Sequence, residues 1–145
     1  MIVVLISALA LAGLVIAVYF TLAYYGRVKK ARWAPEILCA PEGSSCVAVV
    51  ATPYARVFGM PNSLVGIVYY LTVVGWAVAG QRLSIVLSGA ALSLLLVLIA
   101  ASALAVILGF YLIYALRRKL RTDCPLCYAA HAINAALLVL LLFVD

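Results

Sequence analysis

Residues 123–143 of the chain are DCPLCYAAHAINAALLVLLLF. This stretch begins with a Cys-x-x-Cys pair, Cys124 and Cys127, and continues as an apolar run. A hydrocarbon core of about 30 Å takes roughly 20 helical residues, so the run is long enough to cross a bilayer. Pro125 fits the first turn of a helix, and Asp123 is predicted to cap it. The stretch therefore predicts a membrane-spanning helix with two thiols where water meets lipid.

The composition of the whole chain supports a membrane location. Of its 145 residues, 70% are hydrophobic and 10% are charged, and the mean hydropathy is +1.30. Soluble domains average about 45–50% apolar and about 25% charged residues. We therefore predict an integral membrane protein. We attribute its net charge of +6 to basic residues that flank spans in the lipid bilayer, and not to nucleic-acid binding.

Four segments have the length and hydropathy of a membrane-spanning helix. They are Ile2 to Tyr25, Ser63 to about Ala79, a span within Leu83 to Leu116, and Pro125 to Phe143. The first is too long for the apolar region of a signal peptide, so we expect it to be a span. The sequence thus predicts an all-α, four-helix transmembrane bundle that forms one domain over residues 1–145. Glycines within the spans are expected to allow close helix packing: Gly66, Gly75, Gly89 and Gly109.

The connection between the first two spans differs from a solvated loop. From Ala34 to Pro61 it is apolar but interrupted by proline and glycine, so we expect it to fold back onto the bundle. Within it, Ser44 or Ser45 can cap a short helix that ends near Ala51, because Pro53 prevents its continuation. We therefore predict a partly helical loop.

The four cysteines fall in two pairs, Cys39 with Cys46 in the first connection and Cys124 with Cys127 at the fourth span. An even number of spans places both pairs on the same side of the membrane. A cysteine at a helix N-terminus has a stabilised thiolate, and a thiolate can attack a disulfide. The arrangement predicts a relay in which Cys46 exchanges with Cys124 and two electrons pass between the pairs.

The interior face of the fourth span offers a site for an electron acceptor. His131 follows Cys127 by four residues and lies on the same helical face. Ionisable residues inside a membrane are costly and usually functional, although His131 could instead join two helices by a hydrogen bond. Asn62, at the start of the second span, is a second polar candidate, with an N-cap role as its alternative. We predict that these residues contact a quinone such as menaquinone or ubiquinone.

Two non-catalytic interpretations of the cysteines stay open. The four thiols could bind zinc, although the gap between Cys39 and Cys46 is wider than the usual spacing in structural zinc sites. Two static disulfides could instead stabilise the bundle, although a Cys-x-x-Cys bridge closes a very small loop and gains little entropy. Either interpretation makes the chain a small non-catalytic membrane protein.

From Cys39 to Asn134 the sequence resembles the vitamin K epoxide reductase family. The family pattern has two loop cysteines, a Ser or Thr six residues after the second, a Gly-x-Pro before the second span, and a Cys-x-x-Cys at the start of the fourth. Its counterparts in this sequence are Cys39, Cys46, Thr52, Gly59-Met60-Pro61 and Cys124-Pro125-Leu126-Cys127.

The resemblance implies a role for each cysteine in a four-helix bundle around a quinone. Cys127 would reduce the quinone, with Cys124 as its partner thiol. Cys46 would exchange with Cys124, and Cys39 would receive electrons from a thioredoxin-like protein. The resemblance therefore implies an enzyme, a quinone-reducing thiol oxidoreductase that promotes protein disulfide formation.

The resemblance also implies contacts to the quinone. Asn62 looks like the family's quinone-contacting Asn, and Thr52 matches the family's Ser or Thr, so we add Thr52 to the predicted quinone-binding residues. The segment His131-Ala132-Ile133-Asn134 stands where the animal enzymes have Tyr-Ala-Ile-Asn. This departure leaves a hydrogen bond to the quinone from His131, without implying vitamin K epoxide as the substrate.

The basic residues are distributed unequally between the two sides of the membrane. By the positive-inside rule, the side with more Lys and Arg is cytoplasmic, which places both cysteine pairs in the cytoplasm. This orientation is inverted relative to family members that serve secreted proteins, and it suits a source with abundant intracellular disulfides. The side of the cysteines has Arg27, Lys29, Lys30, Arg32, Arg56, Arg117, Arg118, Lys119 and Arg121, and the opposite connection has Arg82.

Overall fold

The computed structural model describes residues 1–27, 49–57, 59–83 and 88–144. Four long helices dominate these ranges: α1 (Ile2–Tyr24), α2 (Asn62–Leu83), α3 (Ser88–Tyr114) and α4 (Pro125–Leu142). Each is long and apolar enough to cross a membrane. Consecutive helices pack against each other and α1 also packs against α4, so the four form a bundle. The predicted all-α transmembrane bundle is confirmed.

The third span ends later than the sequence predicted. After α3 the chain continues as a π-helix over Ala115–Leu120, so the apolar span reaches Leu120 and not Leu116. Arg121 then adopts a left-handed conformation, with φ of 49°, and the backbone N–H of Thr122 donates to the carbonyl of Leu116 at 3.1 Å. The basic residues of this segment are exposed: Arg117, Arg118 and Lys119.

The described end of the first connection lies against the bundle, as predicted. It is helical at 49–51, forms a 3₁₀ turn at Pro53–Ala55, and pairs β1 (Arg56–Val57) with β2 (Met60–Pro61) in an antiparallel ladder. Gly59, between the strands, has a φ of 80°, which few other residues adopt. The predicted partly helical loop is confirmed for these residues. Its proposed caps and first cysteine pair lie outside the described residues: Ser44, Ser45, Cys39 and Cys46.

Two of the predicted glycine contacts are confirmed. A Cβ on Gly66 would lie 3.6 Å from the Cβ of Ala17, and one on Gly109 would lie 2.8 Å from Nδ1 of His131. These glycines let neighbouring helices approach closely. The prediction for Gly75 is wrong, because a Cβ there would meet nothing within 4 Å in the described part of the chain. The surroundings of Gly89 lie outside the description.

Candidate redox site

A disulfide joins Cys124 and Cys127 at the start of α4, with their Cα atoms 5.2 Å apart. Cys124 is the N-cap residue, and its Sγ accepts a hydrogen bond from the backbone N–H of Cys127 at 3.3 Å. The predicted cap by Asp123 is wrong, because its carboxylate instead accepts a hydrogen bond from the hydroxyl of Tyr128 at 3.0 Å. The free N–H groups of the helix therefore face the sulfur, where they favour negative charge.

The two cysteines of the disulfide differ in burial and in contact with the interior cavity. Cys124 is 0% exposed and belongs to a buried cluster with Phe20, Val50 and Leu116. Val50 comes from the connection that contains the other two cysteines, so Cys124 lies on the side of that connection. Cys127 is partly buried and lines a cavity inside the bundle. Both cysteines therefore lie beside the first connection, and Cys127 also faces the cavity.

The cavity has a volume of about 120 Å³ and lies among all four helices and the segment 49–55. Most of its wall is apolar, which suits a hydrophobic ligand. Polar side chains enter the wall at a few positions, among them Asn62 from α2 and His131 from α4. The structure thus brings three of the predicted site residues, Cys127, His131 and Asn62, to one cavity. Their contacts to a quinone stay a prediction.

Thr52 lies close to this cavity but does not line it. Its hydroxyl donates to the carbonyl of Val49 at 2.7 Å. Val49, Val50, Tyr54 and Ala55 do line the cavity. The hydrogen bond of Thr52 therefore stabilises the turn that supplies this part of the wall.

His131 packs tightly between α4 and α3. The Nδ1 side of its imidazole faces Gly109, where a Cβ would leave too little space. Nδ1 is buried and has no hydrogen-bond partner in the part of the chain that the structure describes. Buried polar atoms normally have partners, so an unpaired one calls for an explanation. The close approach of Gly109 explains how the ring fits but not why a histidine is there.

The sequence interpretation missed a second polar pair beside the cavity. Tyr70 lines the cavity, and its hydroxyl donates to Oδ1 of Asn134 on α4 at 2.7 Å. A periodic signal was present, because Asn62, Gly66 and Tyr70 are spaced by four residues and share one face of α2. Without the structure, nothing indicated that this face meets Asn134.

A chain of polar side chains borders the disulfide on the outside of the bundle. Nε of Arg117 lies 3.4 Å from the hydroxyl of Tyr128, to which it donates, and Tyr128 donates in turn to Asp123. The guanidinium carbon of Arg117 also lies 5.5 Å from the centroid of the Tyr128 ring. These contacts join the end of the third span to the turn that holds Cys124 and Cys127.

Comparison with known families supports the features above. The model of the vitamin K epoxide reductase family matches residues 4–142. The chain belongs to the vitamin K epoxide reductase family. Membership suggests a membrane thiol oxidoreductase, which agrees with four membrane-spanning helices and a Cys-x-x-Cys disulfide. A search of curated proteins found no match.

No cluster of three or more His, Cys, Asp or Glu side chains suited to a metal occurs among the described residues. Cys124 and Cys127 are bonded to each other, so in this state their sulfurs are not free thiolates for zinc. The alternative four-cysteine zinc site also requires Cys39 and Cys46, which lie outside the described residues.

Proposed function

We propose that the protein is a quinone-dependent thiol–disulfide oxidoreductase that oxidises a thioredoxin-fold partner and reduces a membrane quinone. We also propose that residues 1–145 form one catalytic domain. The observation that carries the proposal is the position of Cys127. One sulfur of a Cys-x-x-Cys disulfide lines an apolar cavity within the membrane span, one helical turn from an imidazole.

The chemistry is a transfer of two electrons and two protons. In the proposed relay, Cys39 and Cys46 take electrons from the partner, and Cys46 reduces the Cys124–Cys127 disulfide by thiol–disulfide exchange. The two thiols of Cys124 and Cys127 then re-form their disulfide as they reduce a quinone to a quinol. The helix N–H groups at Cys124 stabilise thiolate and so assist the exchange.

The cavity suits both the apolar ring of a quinone and its carbonyl oxygens. Its apolar wall fits the ring, and Asn62 and His131 offer hydrogen-bond donors for carbonyl oxygens. Because Nδ1 of His131 has no partner in the described part of the chain, a proton there would be a buried unpaired donor. With the proton on Nε2, Nδ1 is an acceptor and the Nε2–H is available to a ligand. We therefore assign Nε2–H as the donor to the quinone.

Thr52 takes an indirect role in this proposal. Its bond to the carbonyl of Val49 holds the turn beside the cavity. Thr52 thus supports the wall that meets the quinone, and its loss would weaken quinone binding less than the loss of His131.

Anaerobic mixing of the purified full-length protein with a reduced thioredoxin-fold protein and a short-tailed quinone tests the proposal. Quinol formation, followed by absorbance, should disappear in Cys127→Ala. Thr72→Ala is the matched control, because its exposed hydroxyl bonds within α2, to the carbonyl of Val68 at 2.8 Å. Full activity of Cys127→Ala would contradict the mechanism.

The full burial of Cys124 favours a second candidate, a non-catalytic membrane protein with a structural disulfide. Thiol titration before and after mild reduction separates the two. A disulfide that resists a dithiol reductant, or zinc bound at the cysteines, would favour the structural role. Release of two thiols from the Cys124–Cys127 pair would favour the oxidoreductase.

The orientation in the membrane is part of the proposal. Arg27, Arg117 and Lys119 are exposed at the end of the bundle that holds the disulfide. By the positive-inside rule, we place this end in the cytoplasm, where the enzyme would oxidise cytoplasmic thiols. An impermeant thiol reagent applied to intact cells that express a variant with Cys39 as its sole cysteine tests this. Modification from outside would reverse the assignment.

A further inference from the structure

The inner end of the cavity, away from the disulfide, is formed by an aromatic ring. Cys127, His131 and Asn134 are spaced by four and three residues, so they lie along one face of α4. Seven residues of helix span about 10 Å, at about 1.5 Å per residue. Tyr70 lines the cavity and donates to Asn134 at 2.7 Å. The ring of Tyr70 therefore limits how far from Cys127 a ligand can extend.

The ring of Tyr70 is held in place from several directions. Only 4% of the residue is exposed. A Cβ on Gly13 of α1 would overlap the Tyr70 ring, and one on Gly66 would lie 3.8 Å from it. Two glycines therefore give the ring its space while the bond to Asn134 fixes its outer end. A ring held in this way forms a rigid wall.

Tyr69, the adjacent residue, provides a comparison within the same helix. Its hydroxyl lies 2.7 Å from Oγ of Ser102 on α3, within hydrogen-bond distance. Unlike Tyr70, it is not part of the cavity wall. Both tyrosines join α2 to another helix through one hydrogen bond, so loss of either bond should weaken the bundle in a similar way. Only Tyr70 is in a position to act on a ligand.

We propose that Tyr70, anchored by Asn134, determines which quinone ring systems the enzyme accepts. This inference rests on the proposed quinone reduction and adds its head-group specificity. Shortening the side chain at position 70 opens the inner end of the cavity and admits a second fused ring. Pockets commonly discriminate by about 10-fold or more for small changes in apolar volume.

The experiment measures kcat/KM for two quinones with the same short isoprenoid tail, one with a benzoquinone head and one with a naphthoquinone head. Tyr70→Leu should shift the ratio of the two values about 10-fold toward the naphthoquinone. Tyr69→Leu is the matched control and should leave the ratio at its wild-type value. An unchanged ratio in Tyr70→Leu, or an equal shift in Tyr69→Leu, would overturn the inference.

Asn134→Leu provides a second variant that keeps the ring and removes its anchor. It should shift the ratio in the same direction as Tyr70→Leu but by less, and it keeps the inference testable if Tyr70→Leu does not fold. An unchanged ratio in Asn134→Leu would show that the anchor has no part in specificity. A wild-type protein that reduces neither quinone would instead refute the proposed function itself.

Discussion

Ser102 and His131 are two polar side chains in the interior of the same bundle, and they differ in how their hydrogen bonds are completed. Ser102 is 0% exposed, and its hydroxyl donates to the carbonyl of Leu98 and lies 2.7 Å from the hydroxyl of Tyr69. His131 has a buried Nδ1 that finds no partner in the described ranges, and its ring lines a cavity. A polar group whose bonds are complete within the protein stabilises the fold, whereas we propose that the incompletely bonded His131 at the cavity meets a ligand.

The largest expected effect is a loss of quinone reduction when His131 is replaced. His131→Leu should lower kcat/KM for the quinone about 5–150-fold, because leaving a buried quinone carbonyl without its donor costs about 1–3 kcal/mol. Exchange with the reduced thioredoxin-fold partner should continue at its wild-type rate. Thermal stability should not fall, because the imidazole makes no complete set of bonds to lose. Unchanged quinone kinetics with a lower melting temperature would show that His131, like Ser102, stabilises the fold.

A smaller effect is expected from a methyl group placed behind the imidazole. Gly109→Ala puts a Cβ 2.8 Å from Nδ1 of His131, so the ring must shift. Overpacking of this kind typically costs about 1–3 kcal/mol, and we expect KM for the quinone to rise more than kcat falls. Steady-state kinetics at several quinone concentrations separate the two parameters.

Gly75→Ala is the matched control for that experiment. The same methyl group meets nothing within 4 Å in the described part of the chain, so both kinetic parameters should stay unchanged. If Gly75→Ala reduced activity as much as Gly109→Ala, the effect would belong to helix α2 or α3 in general and not to the position of His131.

The smallest expected effect concerns stability alone. Ser102→Ala removes the group that completes the bond of Tyr69, and interhelical hydrogen bonds in membrane proteins average about 0.6 kcal/mol. The free energy of unfolding in detergent should fall by about that amount, with quinone reduction unchanged. A loss of quinone reduction in Ser102→Ala would contradict a purely stabilising role for Ser102.

The sequence predicted the spans well because a bilayer imposes a length and a polarity on each helix. Cys127 and His131 were placed on one face by helical periodicity alone. The late end of the third span and the cap at Cys124 were missed, because both depend on local competition among backbone and side-chain bonds. Tyr70 and Asn134 were not paired, since 64 residues separate them.

Packing also separates residues that the sequence cannot distinguish. Gly75 and Gly109 are both glycines within apolar spans. Of these two, Gly109 lies against another helix, whereas a Cβ on Gly75 would meet nothing within 4 Å in the described structure. The roles predicted for Cys39 and Cys46 stay predictions, because both residues lie outside the described ranges. Their proposed relay is a thiol–disulfide exchange between Cys46 and Cys124, which functional assays can test.

A single-turnover reaction tests whether the Cys124–Cys127 pair itself reduces the quinone. Cys39→Ala/Cys46→Ala leaves Cys124 and Cys127 as the two cysteines of the chain. This variant is reduced, freed of reductant and mixed anaerobically with a short-tailed quinone, after which quinol and remaining thiols are counted. We expect one quinol per protein and the loss of both thiols, since one disulfide carries two electrons. No quinol, or quinol with both thiols intact, would contradict it.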